Sequence, residues 1–173
     1  VSDHHGTPPP GYLEALARRP KIGEPSPLRP YIVQAFAKEN FEPEQLPVLE
    51  ASVVEMYLRI LLEDDARLDE LQVCELERWH EMHLPLPEGL GASHVTIGGI
   101  MDRLDRVTHD GRRLWRIVDY KTGGNLETAD SVAQLFEVRG GNHRHYMLQT
   151  FIYAEILRRE LAPDASSIAP ALY

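Results

Sequence analysis

The dipeptide Asp110-Gly111 lies between two stretches that alternate apolar and polar residues, HVTIGGIMDRLDRV at 94–107 and RRLWRIVDYK at 112–121. An Asp-Gly pair in that position is a strong signal for the two-residue turn of a β-hairpin. Such a turn pairs His109 with Arg112 and thereby sets the register of every pair behind it. No other feature of the sequence constrains the fold as much.

The register places Asp102 directly opposite Asp119, near the ends of the two strands. Opposed residues in antiparallel strands have Cβ atoms about 4.5–5.5 Å apart, and like charges at that distance destabilise the pair. We therefore expect the two carboxylates to share a proton or to hold a cation. Lys121, two residues beyond Asp119, projects from the same face of its strand. A register shifted by one residue would separate the two acids.

Two carboxylates and one ammonium at a strand end suit the hydrolysis of a phosphodiester, and Gly123-Gly124 leaves room there for a substrate backbone. Mg²⁺ prefers one or two carboxylates together with substrate phosphate and water. The metal activates water and neutralises charge on the phosphate, while lysine orients the water or stabilises the developing charge. The alternative interpretation of Asp119 and Lys121 is an ordinary surface ion pair.

Composition divides the chain into a proline-rich irregular segment at 1–30, a helical region at 31–70 and a core at 71–173. Apolar spacing predicts a short helix at Tyr31–Asn40 and a stronger one at Pro47–Leu68. In the stronger helix the acids occupy one side and the apolar residues repeat on the other, at Val53, Met56, Tyr57, Ile60 and Leu61.

The core begins with a predicted strand at Leu71–Leu86 and continues with the two strands of the hairpin. A polar connector follows, then a helix at His145–Leu161 with two apolar stripes, and a fourth strand within 166–173. The order helix, three-strand antiparallel meander, helix, strand predicts a layered α/β or α+β domain. Because the chain begins at Val1 and ends inside an apolar strand pattern, we expect it to be truncated at both ends.

Composition also excludes several classes of protein. No run approaches the ~18 apolar residues of a membrane span, so no membrane partner is expected. The single cysteine, Cys74, rules out an internal disulfide, a four-cysteine zinc site and a self-contained iron–sulfur cluster, and it fits a reducing, cytoplasmic location. The formal net charge of −9 is concentrated in 41–90, which holds 13 acidic and three basic residues. The overall charge therefore neither supports nor excludes a polyanionic substrate.

Three short motifs occur in order along the core: Gly99-Ile100-Met101-Asp102, Asp119-Tyr120-Lys121, and Gln149 through Tyr153 on the predicted helix. They resemble the G-x-x-D, D-x-K and Q-x-x-x-Y motifs of the PD-(D/E)XK nuclease superfamily. The resemblance is to its RecB-like branch in particular, found in AddB-type proteins of bacterial helicase–nuclease repair complexes. It spans Leu71 to Leu161 and implies an α/β, restriction-endonuclease-like core. Each motif alone is weak, whereas the joint match in order is specific.

The resemblance implies a metal-dependent nuclease that hydrolyses DNA with Mg²⁺ or Mn²⁺. Asp102 and Asp119 would bind the metal together with the backbone carbonyl of Tyr120, and Lys121 would be the catalytic lysine. DNA is the expected substrate. A helicase subunit or domain of a DNA repair or recombination complex is the expected partner.

The same resemblance assigns supporting roles. Gln149 and Tyr153, one helical turn apart, would line the site and either contact the DNA backbone or support the catalytic groups. The alternative for these two residues is a polar position at the edge of a core helix. Glu77 lies on the strand before the hairpin, where such proteins often carry a glutamate that supports the site.

Many relatives carry a metal-binding histidine in a helix ahead of this core, and this sequence has none in such a helix. His4 and His5 lie in a polar, proline-bound start, so we expect that helix to lie upstream of Val1.

The other histidines raise a zinc alternative. His80 and His83 are expected to point to opposite faces of a strand, which disfavours a shared metal. His143, Arg144 and His145 precede the helix of Gln149 and are either solvated or in contact with phosphates.

Two other classes of function stay open from the sequence. A non-catalytic module could keep the nuclease fold for DNA binding or complex assembly, and the absent histidine and the acidic surface point to it. An enzyme acting on a small phosphorylated substrate would need a phosphate-cradling glycine loop, which the sequence lacks.

Overall fold

The computed structural model describes residues 6–39, 48–121, 128–136, 144–163 and 167–173. The chain forms two compact units, Thr7–Asp69 and a second unit that contains Glu70–Tyr173 and Gly6. The predicted division at residues 30 and 70 stays a prediction. None of the helices in these ranges is long and apolar enough to cross a membrane.

The first unit is helical. It contains α1 (Tyr12–Ala17), α2 (Arg29–Lys38) and α3 (Val48–Asp65). A proline stands in the first turn of α2, where its missing N–H has no intrahelical acceptor. The buried centre of the unit consists of Leu28, Ile32 and Ala51, with partly buried Leu16, Val33, Phe36, Leu58 and Leu62 packed around it.

The buried side of α3 differs from the predicted one. Ala51 is fully buried and Leu58 and Leu62 pack with it, whereas the predicted apolar side is mostly exposed, at Val53 (41%), Met56 (49%), Tyr57 (55%) and Ile60 (48%). The helix carries apolar residues on more than one side, so their spacing predicts a helix without deciding which stripe packs.

The second unit is a four-stranded mixed sheet in the order β1-β2-β3-β4. Its strands are β1 (Glu70–Pro85), β2 (His94–His109), β3 (Arg112–Asp119) and β4 (Ile168–Leu172). The first three form an antiparallel meander, and β4 lies parallel to β3. The predicted α/β fold and the predicted order of elements are confirmed.

The connection between β3 and β4 contains helices. A short 3₁₀ helix, Val132–Phe136, precedes α4 (Arg144–Ile156), which continues as a π-helical turn at Leu157–Leu161. The predicted glycine turn at Gly123-Gly124 and most of the polar connector lie outside the described residues.

The hairpin between β2 and β3 has the predicted geometry. Asp110 and Gly111 have φ angles of 51° and 71°, as the two central residues of a type I′ turn require. Pairing runs without a slip from His109–Arg112 to Arg103–Val118. The predicted register is confirmed.

One face of the sheet packs against α4. Met82, Met101, Leu104 and Ile117 of the strands form a buried cluster with Tyr153, Ile156 and Leu157 of the helical segment. Tyr153, Ile156 and Leu157 stand at positions i, i+3 and i+4, which lie on one face of a helix.

Candidate active site

The two acidic residues predicted to oppose each other lie at the end of the β2–β3 ladder. Arg103–Val118 is the last paired position, and Asp102 and Asp119 come next along the two strands. The backbone N–H of Tyr120 donates a hydrogen bond of 2.8 Å to Oδ2 of Asp102. The Asp102 carboxylate therefore lies against the backbone that directly follows Asp119.

The strand alternation breaks beside Asp102. In an unbroken strand, Met101 and Leu104 would point to opposite faces, yet both pack into the cluster with α4. Glu77 falls opposite Asp102 without joining the ladder, and its φ of 47° is uncommon for a residue other than glycine. Such irregularities re-aim side chains next to functional sites.

The ammonium of Lys121 has three partners. Nζ lies 2.5 Å from Oδ2 of Asp119, donates a hydrogen bond of 3.2 Å to Oε1 of Gln149, and stands 4.7 Å from the centre of the Tyr146 ring. Lys121 is not part of β3, which ends at Asp119. Its backbone N–H instead donates to the carbonyl of Tyr173 after β4, at 2.7 Å.

A chain of hydrogen bonds links Lys121 to the backbone of β2. Nε2 of Gln149 donates to the hydroxyl of Tyr153 at 2.9 Å, and that hydroxyl donates to the carbonyl of Ile100 at 2.8 Å. Gly99 makes this approach possible, because a Cβ there would lie 2.7 Å from the Tyr153 hydroxyl oxygen. Any larger residue at position 99 would therefore collide with Tyr153, which explains the glycine of the first motif.

The electrostatics of the pair favour a bound cation. Burial raises the pKa of Asp119 above its ordinary value, the Asp102 charge raises it further, and Lys121 opposes both. Oδ2 of Asp119 is buried and, within the described part of the chain, accepts no hydrogen bond of good geometry, although it is ion-paired with Lys121. The pKa of Asp119 stays raised despite Lys121, so the ion pair offsets only part of the cost of burying this charge.

The donor set fits one class of metal better than another. Among the described residues, no three His, Cys, Asp or Glu side chains form a group that could hold a metal ion. Mg²⁺ uses one or two carboxylates and takes its other ligands from water and phosphate, whereas a structural zinc site uses four protein ligands. Asp102 and Asp119 therefore suit a hard divalent cation.

The remaining predicted residues lie outside this cluster or beyond the described ranges. Glu77 is exposed on β1, and no hydrogen bond joins its side chain to the cluster within the described residues. His80 Nε2 lies 2.5 Å from Oε2 of Glu75, and His83 bonds Thr96 at 2.9 Å. His145 is exposed and its ring lies 4.0 Å from that of Tyr146. The described ranges leave out His4, His5, His143 and the side chain of Arg144.

The opposite face of β2 and β3 carries a second charged cluster. Asp105 is fully buried and accepts hydrogen bonds from Arg103 Nε at 2.8 Å and from Arg116 Nε and Nη2 at 3.0 and 2.7 Å. Nη1 of Arg103 also donates to the hydroxyl of Tyr120 at 3.4 Å. The buried carboxylate thus connects to the residue that follows Asp119.

Sequence reasoning missed the Tyr146 ring and the role of Tyr173. Tyr146 stands three residues before Gln149 on α4, a spacing that puts two side chains on one helical face. That spacing could have pointed to it. Nothing local could have pointed to Tyr173, whose backbone also donates to the carbonyl of Asp119 at 3.1 Å.

Comparison with known families agrees with this geometry. A sequence model of the PD-(D/E)XK nuclease superfamily matches residues 12–173. No curated protein matches the chain. Proteins of this superfamily are generally nucleases, typically use divalent metal ions, and have a restriction-endonuclease-like core with which the four-stranded sheet and its helices are consistent. The chain belongs to the PD-(D/E)XK nuclease superfamily.

Proposed function

We propose that this protein is a DNA nuclease domain of the RecB-like branch, and that it works within a helicase–nuclease of DNA repair or recombination. One observation carries the proposal: Asp102 and Asp119 follow the last pair of the β2–β3 ladder, the Asp102 charge raises the pKa of Asp119, and the Lys121 ammonium is ion-paired with Asp119. Opposed carboxylates next to a positioned ammonium suit the cleavage of a phosphodiester.

Asp102 and Asp119 would hold Mg²⁺ or Mn²⁺ together with the backbone carbonyl of Tyr120. The buried Oδ2 of Asp119 and the raised pKa of that carboxyl support this assignment, because a cation offsets both costs. A divalent ion bound there supplies an activated water and neutralises negative charge on the phosphate. The hydrogen bond from Tyr120 N–H keeps Asp102 oriented towards the end of β3.

Lys121 would act on the scissile phosphate or on the attacking water. Its ion pair with Asp119 and its hydrogen bond to Gln149 restrict a long, flexible side chain to one region. A cation held in advance stabilises developing negative charge without reorganisation during the reaction. Lys121 is therefore the proposed catalytic lysine.

Gln149 and Tyr153 would support Lys121 in preference to contacting DNA. Their side-chain groups already bond one another, Lys121 and the carbonyl of Ile100, and Tyr153 is 96% buried, since only 4% of its surface is exposed. Glu77 would support the site from β1, through the strand irregularity opposite Asp102.

The test compares DNA cleavage by the wild type with that of Asp119→Ala and Lys121→Ala, in Mg²⁺ and in Mn²⁺. Each variant should lose at least about 100-fold in rate. Glu88→Ala and Lys38→Ala remove an exposed acid and an exposed base elsewhere and should retain full activity. Equal activity in all five proteins would refute the assignment.

A second candidate is a catalytically inactive module of the same fold for DNA binding or complex assembly. The two-carboxylate donor set, without a third metal-ligating side chain among the described residues, favours it. DNA binding without cleavage in either metal, unchanged in Asp119→Ala, would support this second candidate.

A further inference from the structure

The Lys121 ammonium touches one side chain that the proposed function does not use. Asp119 and Gln149 hold it on two sides, and the Tyr146 ring lies on a third, 4.7 Å from Nζ to the ring centre. Tyr146 is partly buried in the first turn of α4. It stands on the same helical face as Gln149, so one helix presents both groups to the lysine.

The geometry is that of a cation–π contact. A cation within ~6 Å of a ring centre is attracted by the negative face of the aromatic system, and the attraction grows when the cation is desolvated. Only 19% of the Lys121 side chain is exposed, so water screens this contact little. His145, the residue before Tyr146 in the chain, packs its ring against the Tyr146 ring, with 4.0 Å between the ring centres.

A further partner for the lysine has a clear physical use. Asp119 attracts the ammonium, and the same carboxylate is the proposed metal ligand, so ion pairing alone would draw Lys121 onto the metal position. A ring and an amide on α4 exert attraction from another element and do not compete for a metal ion. Lys121 can then keep its position when the Asp119 carboxylate binds a metal ion.

We propose that Tyr146 is a positioning residue for Lys121, whose ring holds the ammonium in place for the reaction. The inference rests on the proposed function, since it concerns the lysine of that same site. It requires the aromatic ring of Tyr146 and does not require its hydroxyl group.

The experiment uses the full chain, Mg²⁺, and labelled single-stranded and double-stranded DNA oligonucleotides. Tyr146→Phe keeps the ring, and Tyr146→Leu keeps an apolar side chain without a ring. Phe151→Leu makes the same aromatic-to-leucine change on α4 at a side chain that is 52% exposed. For each variant, kcat, KM and the thermal unfolding midpoint are measured.

Tyr146→Leu should lower kcat by about 3- to 10-fold with KM unchanged, since the lost attraction acts on the lysine and not on DNA binding. Tyr146→Phe and Phe151→Leu should stay within about twofold of the wild type. A packing role predicts that the Phe and Leu variants at position 146 behave alike. Equal rates for these two variants, whether both normal or both reduced, would overturn the inference.

The outcome separates this inference from the function on which it rests. If Asp119→Ala and Lys121→Ala abolish cleavage while Tyr146→Leu cleaves normally, the nuclease assignment stands and the role of Tyr146 is wrong. If Asp119→Ala and Lys121→Ala cleave normally, the proposed function itself is wrong.

Discussion

Asp105 and Asp119 are buried carboxylates in the same pair of strands, and their surroundings are opposite in charge. Two guanidinium groups, from Arg103 and Arg116, donate to Asp105. Asp119 has one ammonium, from Lys121, and a second carboxylate, Asp102, beside it. One cluster carries excess positive charge and the other excess negative charge.

The difference indicates what each cluster is for. Both oxygens of Asp105 accept hydrogen bonds from charged donors, which is how a buried charge is stabilised. At Asp119 one buried oxygen lacks a hydrogen bond of good geometry within the described residues. A carboxylate whose two oxygens both accept from guanidinium groups suits a structural role. A pair of acids that shares one ammonium suits binding of a cation.

The largest expected effect comes from breaking the structural cluster. Asp105→Asn leaves two buried guanidinium groups without their carboxylate and should lower the free energy of unfolding by about 3–5 kcal/mol. Denaturant unfolding measures this change. Asp130→Asn, at an exposed acid, is the control and should match the wild type. A loss below about 1 kcal/mol would contradict the structural role.

The converse change is made at Asp119. Asp119→Asn should reduce cleavage by at least about 100-fold, because a neutral amide is a poor metal ligand and cannot form an ion pair with Lys121. The folded protein should persist, as circular dichroism would show. If Asp105→Asn and Asp119→Asn lost activity and stability in the same proportion, the distinction between the clusters would fail.

Gly99→Ala tests the support for Lys121 from α4. The added Cβ would meet the Tyr153 hydroxyl oxygen at 2.7 Å and ring carbons at 3.1 and 3.3 Å, which should lower stability by about 1–3 kcal/mol. Cleavage should fall further than stability alone explains, since the link from Tyr153 to Gln149 is displaced. Ile100→Ala, which removes a side chain that is 52% exposed, should leave both quantities near the wild-type values.

The pH dependence of the unfolding temperature should show that ionised Asp119 destabilises the fold when no metal is bound. The pKa of Asp119 is raised above its ordinary 3.8, so its ionised form destabilises the fold at neutral pH. Without divalent metal, Asp119→Asn should therefore unfold at a higher temperature than the wild type at pH 7. The difference should shrink as pH falls through the folded pKa and disappear below 3.8. A less stable Asn variant at pH 7 would contradict this.

The smallest effect is expected at a carboxylate on the surface. Arg158 and Arg159 lower the pKa of Glu155 to about 2, so its stabilisation exists above 4.5 and is lost as pH falls through about 2. Because the Arg side chains are 55% and 43% exposed, Glu155→Gln should cost at most about 1 kcal/mol at pH 7. Urea unfolding at low and high salt measures this loss in the free energy of unfolding. A loss above about 1 kcal/mol that does not change with salt would contradict a screened surface ion pair.

Local patterns were enough to predict the register of the hairpin that carries Asp102 and Asp119. The Asp110-Gly111 turn pairs β2 with β3, and the observed pairing of Asp105 with Arg116 follows the predicted register. The order of strands and helices also followed from the spacing of apolar residues. These features depend on neighbours along the chain or across one short turn.

Other features could not be predicted in this way. Lys121 was expected to continue the strand, but β3 ends at Asp119 and the backbone of Lys121 pairs with Tyr173. The buried stripe of α3 was predicted wrongly, because the helix has more than one apolar side. Each depends on which distant element packs there, and apolar spacing does not identify that element.

The sequence by itself determined the register of the hairpin that carries Asp102 and Asp119, because its two-residue turn fixes which residues pair and the period of a strand is two. Only the tertiary structure decided what surrounds Lys121. Gln149 and Tyr146 arrive on a helix after a long crossover, and Tyr173 arrives on the strand that follows it. Contacts between such distant residues form only when the whole sheet and its helix pack, so no local pattern encodes them.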